Sequence, residues 1–374
     1  MKTHKKLGLL IILLAAINIT YTSEYPGAVF LMIWPGARPT SLGGAFAAIA
    51  DDATAPYYNP GGLGFLNSSY ATLMHSNWLP GLYPGMYYEY LGFSHALRKQ
   101  GTIAFNLIYL TTGETDVIDN NGNYLGKYTT FDVAVSGSYG FKASTNVATG
   151  FSAKFIYSYL VPDWVFGAIE ELRGTSGGIG MSWAFDAGVL YKPFRFLSVG
   201  ASIANIGPNI SFSTSGESDP LPRMLRLGVK YTPVENQIIK VNITTEITKV
   251  LVGIFYDPNE EKTFTQKLNY ELWSAWKSFG VETWLYDIFS LRIGYFEDLE
   301  GARGGVRVIN ASGDEQYLSL PEYLFTKHGG KFNKIGLTLG IGIHYRGFQL
   351  DVGNDQMIYD FETSNYKFSF TYRF

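Results

Sequence analysis

The chain has 374 residues, 46% hydrophobic and 16% charged, with 29 Lys and Arg against 32 Asp and Glu and a net charge of −3. Soluble proteins average about 25% charged residues, so the chain is charge-poor, although a helical membrane protein would be far more apolar. The near-neutral balance leaves no electrostatic footprint for nucleic acid, and the absence of Cys excludes a disulfide framework, a lipoprotein anchor and a thiolate metal site.

The first element is a leader. Lys2, Lys5 and Lys6 precede an apolar run from Leu7 to Ile17, and the small residues Thr20, Thr22 and Ser23 follow. Such a run has signal-peptide length and is short for a membrane helix, so residues 1–23 read as a signal peptide cleaved near Ser23. No later apolar run reaches the roughly 18 residues of a membrane-spanning helix.

Residues 24–66 do not alternate as strands do. Gly43-Gly44 and Pro60-Gly61-Gly62 demand turns and close backbone approach. Pro60 biases Asn59 away from the helical region, and the Asn59 amide is expected to hold the turn. Asp51 and Asp52 are expected to cap the short helical stretch that follows, or to pair with Arg or Lys.

From residue 67 to 374 the signal is period two. Phe131, Val133, Val135, Tyr139 and Phe141 alternate with Asp132, Ala134, Ser136, Ser138 and Gly140; Ile335, Leu337, Leu339, Ile341, Ile343 and Tyr345 alternate with Gly336, Thr338, Gly340, Gly342 and His344. One face is apolar and the other small or polar, which helical periodicity cannot produce. Many runs reach the about 9–11 residues of a bilayer-spanning strand. About fourteen strands begin near Ser69, Met86, Thr102, Tyr128, Val147, Gly180, Phe196, Met224, Ile238, Lys277, Phe289, Lys334, Phe348 and Ser364; the second is blurred by Tyr87, Tyr88 and Tyr90. Short connections alternate with long ones at Gly113–Gly126, Leu160–Ile179, Gly207–Pro222, Leu251–Leu272 and Leu299–Phe332. That is the layout of an outer-membrane barrel, all-β and antiparallel, with tight periplasmic turns and larger external loops.

Asp132, Lys154, Asp186, Arg226, Lys230, Lys240, Glu246, Glu282, Arg292 and Asp351 fall on the inward face, where a mixed-sign ladder fills a lumen with hydrogen bonds and ion pairs. Leu339→Arg on the lipid face is expected to cost about 2–4 kcal/mol, and Thr338→Arg on the other face much less. Trp78, Tyr83, Trp164, Phe166, Tyr323 and Phe325 enrich the outer loops and are candidate partner contacts, because exposed apolar patches mark contact sites; an interfacial aromatic belt is the other reading. Asp119-Asn120-Asn121-Gly122 fails calcium-loop spacing and reads as a hairpin turn. The histidines have no zinc spacing, no serine sits in a nucleophile elbow, and no cofactor or enzymatic activity is expected. Tyr366, Phe368, Phe370, Tyr372 and Phe374 occupy alternate positions to the last residue.

The segment Ala37-Arg38-Pro39-Thr40-Ser41-Leu42-Gly43-Gly44-Ala45-Phe46, then Asp51-Asp52, then Tyr58-Asn59-Pro60-Gly61-Gly62-Leu63 resembles the N-terminal signature of the PorV/PorQ family, related to FadL-type transporters. Gly61 departs mildly from the more usual Ala. The resemblance implies a fourteen-stranded barrel whose residues 24–66 fold into the lumen as a hatch. It also implies service in type IX secretion, with secreted cargo carrying a C-terminal sorting domain and secretion-system subunits as partners. The aromatic ending at Phe370, Tyr372 and Phe374 resembles the signal read by the barrel-assembly machinery. The expected function is a non-enzymatic PorV-like carrier or cap in the outer membrane, in contact with its lipid; the alternative is a FadL-like channel for hydrophobic small molecules.

Overall fold

Alternation becomes a barrel when each strand turns its apolar side to lipid and its small side inward, with every backbone group paired around a closed sheet. The computed structural model describes residues 25–169, 176–213, 217–257, 261–355 and 365–374; the expected leader at residues 1–23 lies outside them. Fourteen strands form one closed antiparallel barrel. They are β1 Tyr70–Asn77, β2 Tyr87–Ala96, β3 Thr102–Ile118, β4 Tyr124–Lys142, β5 Val147–Tyr159, β6 Ile179–Phe194, β7 Leu197–Ile206, β8 Met224–Glu235, β9 Ile239–Val250, β10 Trp276–Leu285, β11 Phe289–Asp298, β12 Leu337–Tyr345, β13 Phe348–Asp355 and β14 Asn365–Arg373. Strand β1 closes the sheet on β14, from Tyr70 opposite Arg373 to Ser76 opposite Lys367. Beyond that register Ser69 and Phe374 exchange both backbone hydrogen bonds, at 3.1 and 3.0 Å.

Short and long connections alternate as expected except between β3 and β4, and two boundaries move. Strand β4 starts at Tyr124, not near Tyr128, because β3 and β4 continue pairing through irregularities at Gly113 and Ile118. The supposed loop 113–126 is therefore a projecting hairpin, turned at Asp119–Asn123 by the Asp119 carboxylate, which accepts from the Asn121 and Asn123 amides at 2.9 and 2.8 Å. Lys334 does not open a barrel strand. Lys331–Ile335 pairs with Val306–Ile309 in a separate three-stranded sheet with Glu315–Leu318, built within the longest outer loop. The chain re-enters the barrel at Gly336, whose carbonyl accepts from Phe296 at 2.9 Å.

The hydrophobic core lies inside the barrel. Phe30, Leu31, Trp34, Leu42, Phe46, Tyr57 and Tyr58 pack with inward Tyr88, Tyr90, Ile108, Ile156 and Phe296. Residues 25–66 run through the lumen from one end to the other. At the long-loop end the Gly27 amide donates to Pro220 in the β7–β8 connection at 2.9 Å. The segment reaches the short-turn end at Leu66 and there joins β1. On the way it makes short helical turns at Val29–Met32, Ala37–Thr40, Ala55–Tyr58 and Pro60–Phe65.

Candidate functional site

An irregular backbone inside a membrane barrel needs partners for its amides and carbonyls, because lipid and packed apolar side chains supply none. The inward positions of the wall provide them. Ser369 Oγ accepts from the Ala37 amide at 2.8 Å, and Thr338 Oγ1 from Gly43 at 3.1 Å. The Glu246 carboxylate accepts from Phe46 and Ala47 at 3.0 and 2.8 Å. Ser198 donates to Ala48 at 3.0 Å, Ser202 to Tyr58 at 2.7 Å, and Lys367 to Trp34 at 2.8 Å. Tyr88 and Tyr90 turn inward and donate to Ile33 and Ala53 at 3.0 and 2.7 Å. Large aromatics with a hydroxyl to spend on this segment are what blurs the alternation of β2.

Glycine on the inward face lets the segment touch the wall. A Cβ on Gly200 would lie 2.1 Å from the Ala47 carbonyl oxygen. At the lower turn, Asn59 is fully buried and extended before Pro60. Its Oδ1 accepts from the Gly61 amide at 2.9 Å, while Nδ2 donates to Ala47 at 2.8 Å and to Val189 of β6 at 3.0 Å. A Cβ on Gly61 would meet the Gly188 carbonyl at 2.8 Å, whereas one on Gly62 would meet Ala50 of the segment itself at 2.1 Å. Ser41 lies at the β12–β13 wall, and Leu42, Gly43 and Gly44 lie against β10, β11 and Trp34 respectively.

The inward charges form local groups rather than one ladder. Arg38 binds both oxygens of Glu282 at 2.7 and 3.0 Å and Asp51 at 2.6 Å; Arg292 joins Glu282 to Asp351 at 2.8 and 2.7 Å. Glu282 is fully buried, so its charge depends on both guanidinium groups. Asp51 and Asp52 thus pair with an Arg of their own segment, and Asp52 accepts from Thr54 at 2.8 Å instead of capping the helix after it. Lys154 meets Asp186 at 3.2 Å and Asn205 at 2.5 Å, away from the segment. Arg226 donates to the Tyr57 carbonyl at 3.3 Å and lies 4.0 Å from Glu246. Asp132 accepts from Ser158. Lys230 faces a cavity of about 370 Å³ at the short-turn end, shared with Arg38, Asp51, Trp284 and Arg373. Lys367 was not singled out in the sequence, although its place between outward Tyr366 and Phe368 marks it as inward.

The outer loops divide the aromatic set. Tyr83, Trp164 and Phe325 are exposed, the last by 84%, and Phe166 is half-buried. Tyr323 is half-buried against His328, with ring centroids 4.6 Å apart. Trp78 is a correction: it is buried beside Tyr88, because the chain turns inward after β1 and its amide binds Met86, so it offers no outer surface. Phe370 on β14 and Phe374 just beyond it are exposed, and Tyr372 lies between Phe348 at 4.5 Å and Phe374 at 5.6 Å.

Fold and lumen together define an outer-membrane β-barrel that carries its own N-terminal segment inside. The chain belongs to the PorV family, described as type IX secretion system protein PorV, whose model matches residues 19–257. The fold is that of a TodX monoaromatic hydrocarbon channel mutant, at TM-score 0.51 and 12% identity over 91% of this chain and 98% of that one. The toluene transporter TbuX of Ralstonia pickettii superposes at TM-score 0.48, with 12% identity and coverage of 91% and 98%; a FadL homologue of Pseudomonas aeruginosa superposes at 0.42, with 11% identity and coverage of 88% and 95%. No curated protein sequence matches the chain.

Proposed function

We propose that this barrel is a non-enzymatic carrier or cap in type IX secretion, which receives secreted proteins at its outer loops while its own lumen stays shut by residues 24–66. One observation carries the reading. The segment is hydrogen-bonded along its length, from Gly27 on the β7–β8 connection at the outer end to Asn59 on β6 near the inner one, while Tyr83, Trp164 and Phe325 stand exposed outside. A channel for hydrophobic molecules needs a continuous apolar path, whereas the cavity at the inner mouth is lined by Arg38, Asp51, Asp52 and Lys230. The hatch residues Ser41 to Gly44, Asp51, Asp52 and Asn59 to Gly62 serve closure, and lumenal Glu246, Glu282 and Arg226 anchor it. We read Phe370, Tyr372 and Phe374 as the signal to the barrel-assembly machinery. The partners are cargo with a C-terminal sorting domain and secretion-system subunits.

Photo-crosslinking amino acids at Tyr83, Trp164 and Phe325 test this in the native outer membrane. The expected adducts contain secreted proteins sharing a C-terminal sorting domain. Absence of such adducts, together with saturable uptake of a hydrocarbon or fatty acid by reconstituted barrels, would favour the FadL-like channel and overturn the carrier reading.

A further inference from the structure

The β9–β10 connection carries an eleven-residue helix, Phe264–Ser274. Its start is fixed by a capping box: Thr263 accepts from the Gln266 amide, and Gln266 accepts from the Thr263 amide at 2.8 Å. Its end is fixed by two lysines of the barrel. Lys249 contacts Glu271 and Ser274, each at 2.6 Å. Lys277 donates to the carbonyls of Trp273 and Ala275, each at 3.2 Å, which satisfies the helix's last acceptors.

Both lysines belong to the lipid side of the wall. Lys249 continues the outward row Thr245, Ile247, while Glu246 and Thr248 point in; Lys277 precedes outward Phe279, with Trp276 and Ser278 inward. The helix is therefore tied to the outside of the rim, directly above lipid-facing strand surface. Phe264, Leu268 and Leu272 are all exposed and recur every four residues. At about 100° per residue they form one stripe spanning roughly 80°. That stripe lies next to Glu271, the residue bound to the rim. Trp273 and Tyr270 lie on the face opposite the stripe, with rings 5.9 Å apart, and the Lys262 ammonium lies 5.4 Å from the Tyr270 ring. An exposed apolar stripe on a helix fastened to the outward side of the wall suits a helix lying in a membrane interface.

We propose that the helix Phe264–Ser274 is an interfacial anchor, with Phe264, Leu268 and Leu272 inserted at the boundary between headgroups and acyl chains of the outer leaflet. The occupant of the stripe is lipid, because the two lysines that hold the helix stand one outward position from Ile247 and Phe279, both exposed on the lipid side of the wall. The inference is independent of the carrier reading. The anchor would hold this rim at a fixed depth and tilt the outer loops relative to the membrane plane.

The chain contains no cysteine, so single labels can be placed without background. Nitroxide-labelled Leu268→Cys and Leu272→Cys barrels in phospholipid vesicles are compared with Leu291→Cys on the wall and Asn121→Cys at a hairpin tip, each accepted only if heat-modifiable as folded barrel. Collision with oxygen is measured against collision with a water-soluble nickel complex. Oxygen-dominated collision at 268 and 272, as at 291, is expected. Nickel-dominated collision matching 121, or protection from both reagents, overturns the proposal.

Discussion

Asn59→Ala perturbs the lower turn of the lumenal segment where its hydrogen bonds can be counted. The side chain is fully buried and makes three, to the Gly61 amide, the Ala47 carbonyl and the Val189 carbonyl, at 2.8 to 3.0 Å. Truncation leaves one amide and two carbonyls without that partner. A buried polar group stranded in this way costs about 1–3 kcal/mol. Water entering the vacated space recovers part of it, so about 3 kcal/mol is a reasonable net loss from three groups at about 1 kcal/mol each. The loss falls on local opening rather than on the barrel, since only one of the three partners belongs to a strand. At 1.4 kcal/mol per factor of ten, local opening should rise roughly a hundredfold. Hydrogen–deuterium exchange read by mass spectrometry should show faster exchange for peptides covering residues 45–66, with strands β1 to β14 unchanged. A change below about threefold in that region, or equal acceleration throughout the strands, would refute the assignment of Asn59 as a local clamp.

Leu339→Arg should lower stability by about 2–4 kcal/mol in lipid vesicles, measured by denaturant unfolding, because Leu339 faces lipid. Thr338→Arg is not the mild neighbour its inward position implies: Thr338 holds the Gly43 amide, so Arg should unseat residues 36–50 and expose them to protease while the barrel stays heat-modifiable. Glu282→Leu strands two buried guanidinium groups and should cost about 3–5 kcal/mol; adding Arg38→Met should recover part of that, and strict additivity in unfolding measurements would contradict the coupling. Deleting Phe374, or Phe370→Asp, should reduce folded barrel in the outer membrane, and normal levels in both would remove their role in assembly.

The barrel was legible because lipid acts on every second residue. Alternation such as Leu337 to Tyr345 is enforced wherever a strand meets acyl chains, and strand starts at Thr102, Val147, Met224, Phe289 and Phe348 coincide with the structure. Legibility failed where that pressure ends. The β3–β4 hairpin and the Val306–Ile309 sheet stand beyond the membrane, where pairing continues without an apolar face to announce it. Inward charges could be assigned to the lumen but not to partners, since Arg38 and Glu282 are 244 residues apart in sequence. Trp78 looked like a loop aromatic because nothing local reveals that the chain folds inward after β1. Inward glycines such as Gly140 and Gly340 were visible as small residues on the inner face; their purpose depends on the path of residues 25–66, which no strand pattern encodes.

Closure of the barrel by its own N-terminal segment underlies the proposed role. Single-channel recording of the purified wild-type protein in planar bilayers tests this most directly. The expected trace stays at baseline, with openings appearing only in variants such as Asn59→Ala that loosen the segment. Stable, large-conductance openings of the folded wild-type protein would contradict closure, and with it the reading of this barrel as a carrier.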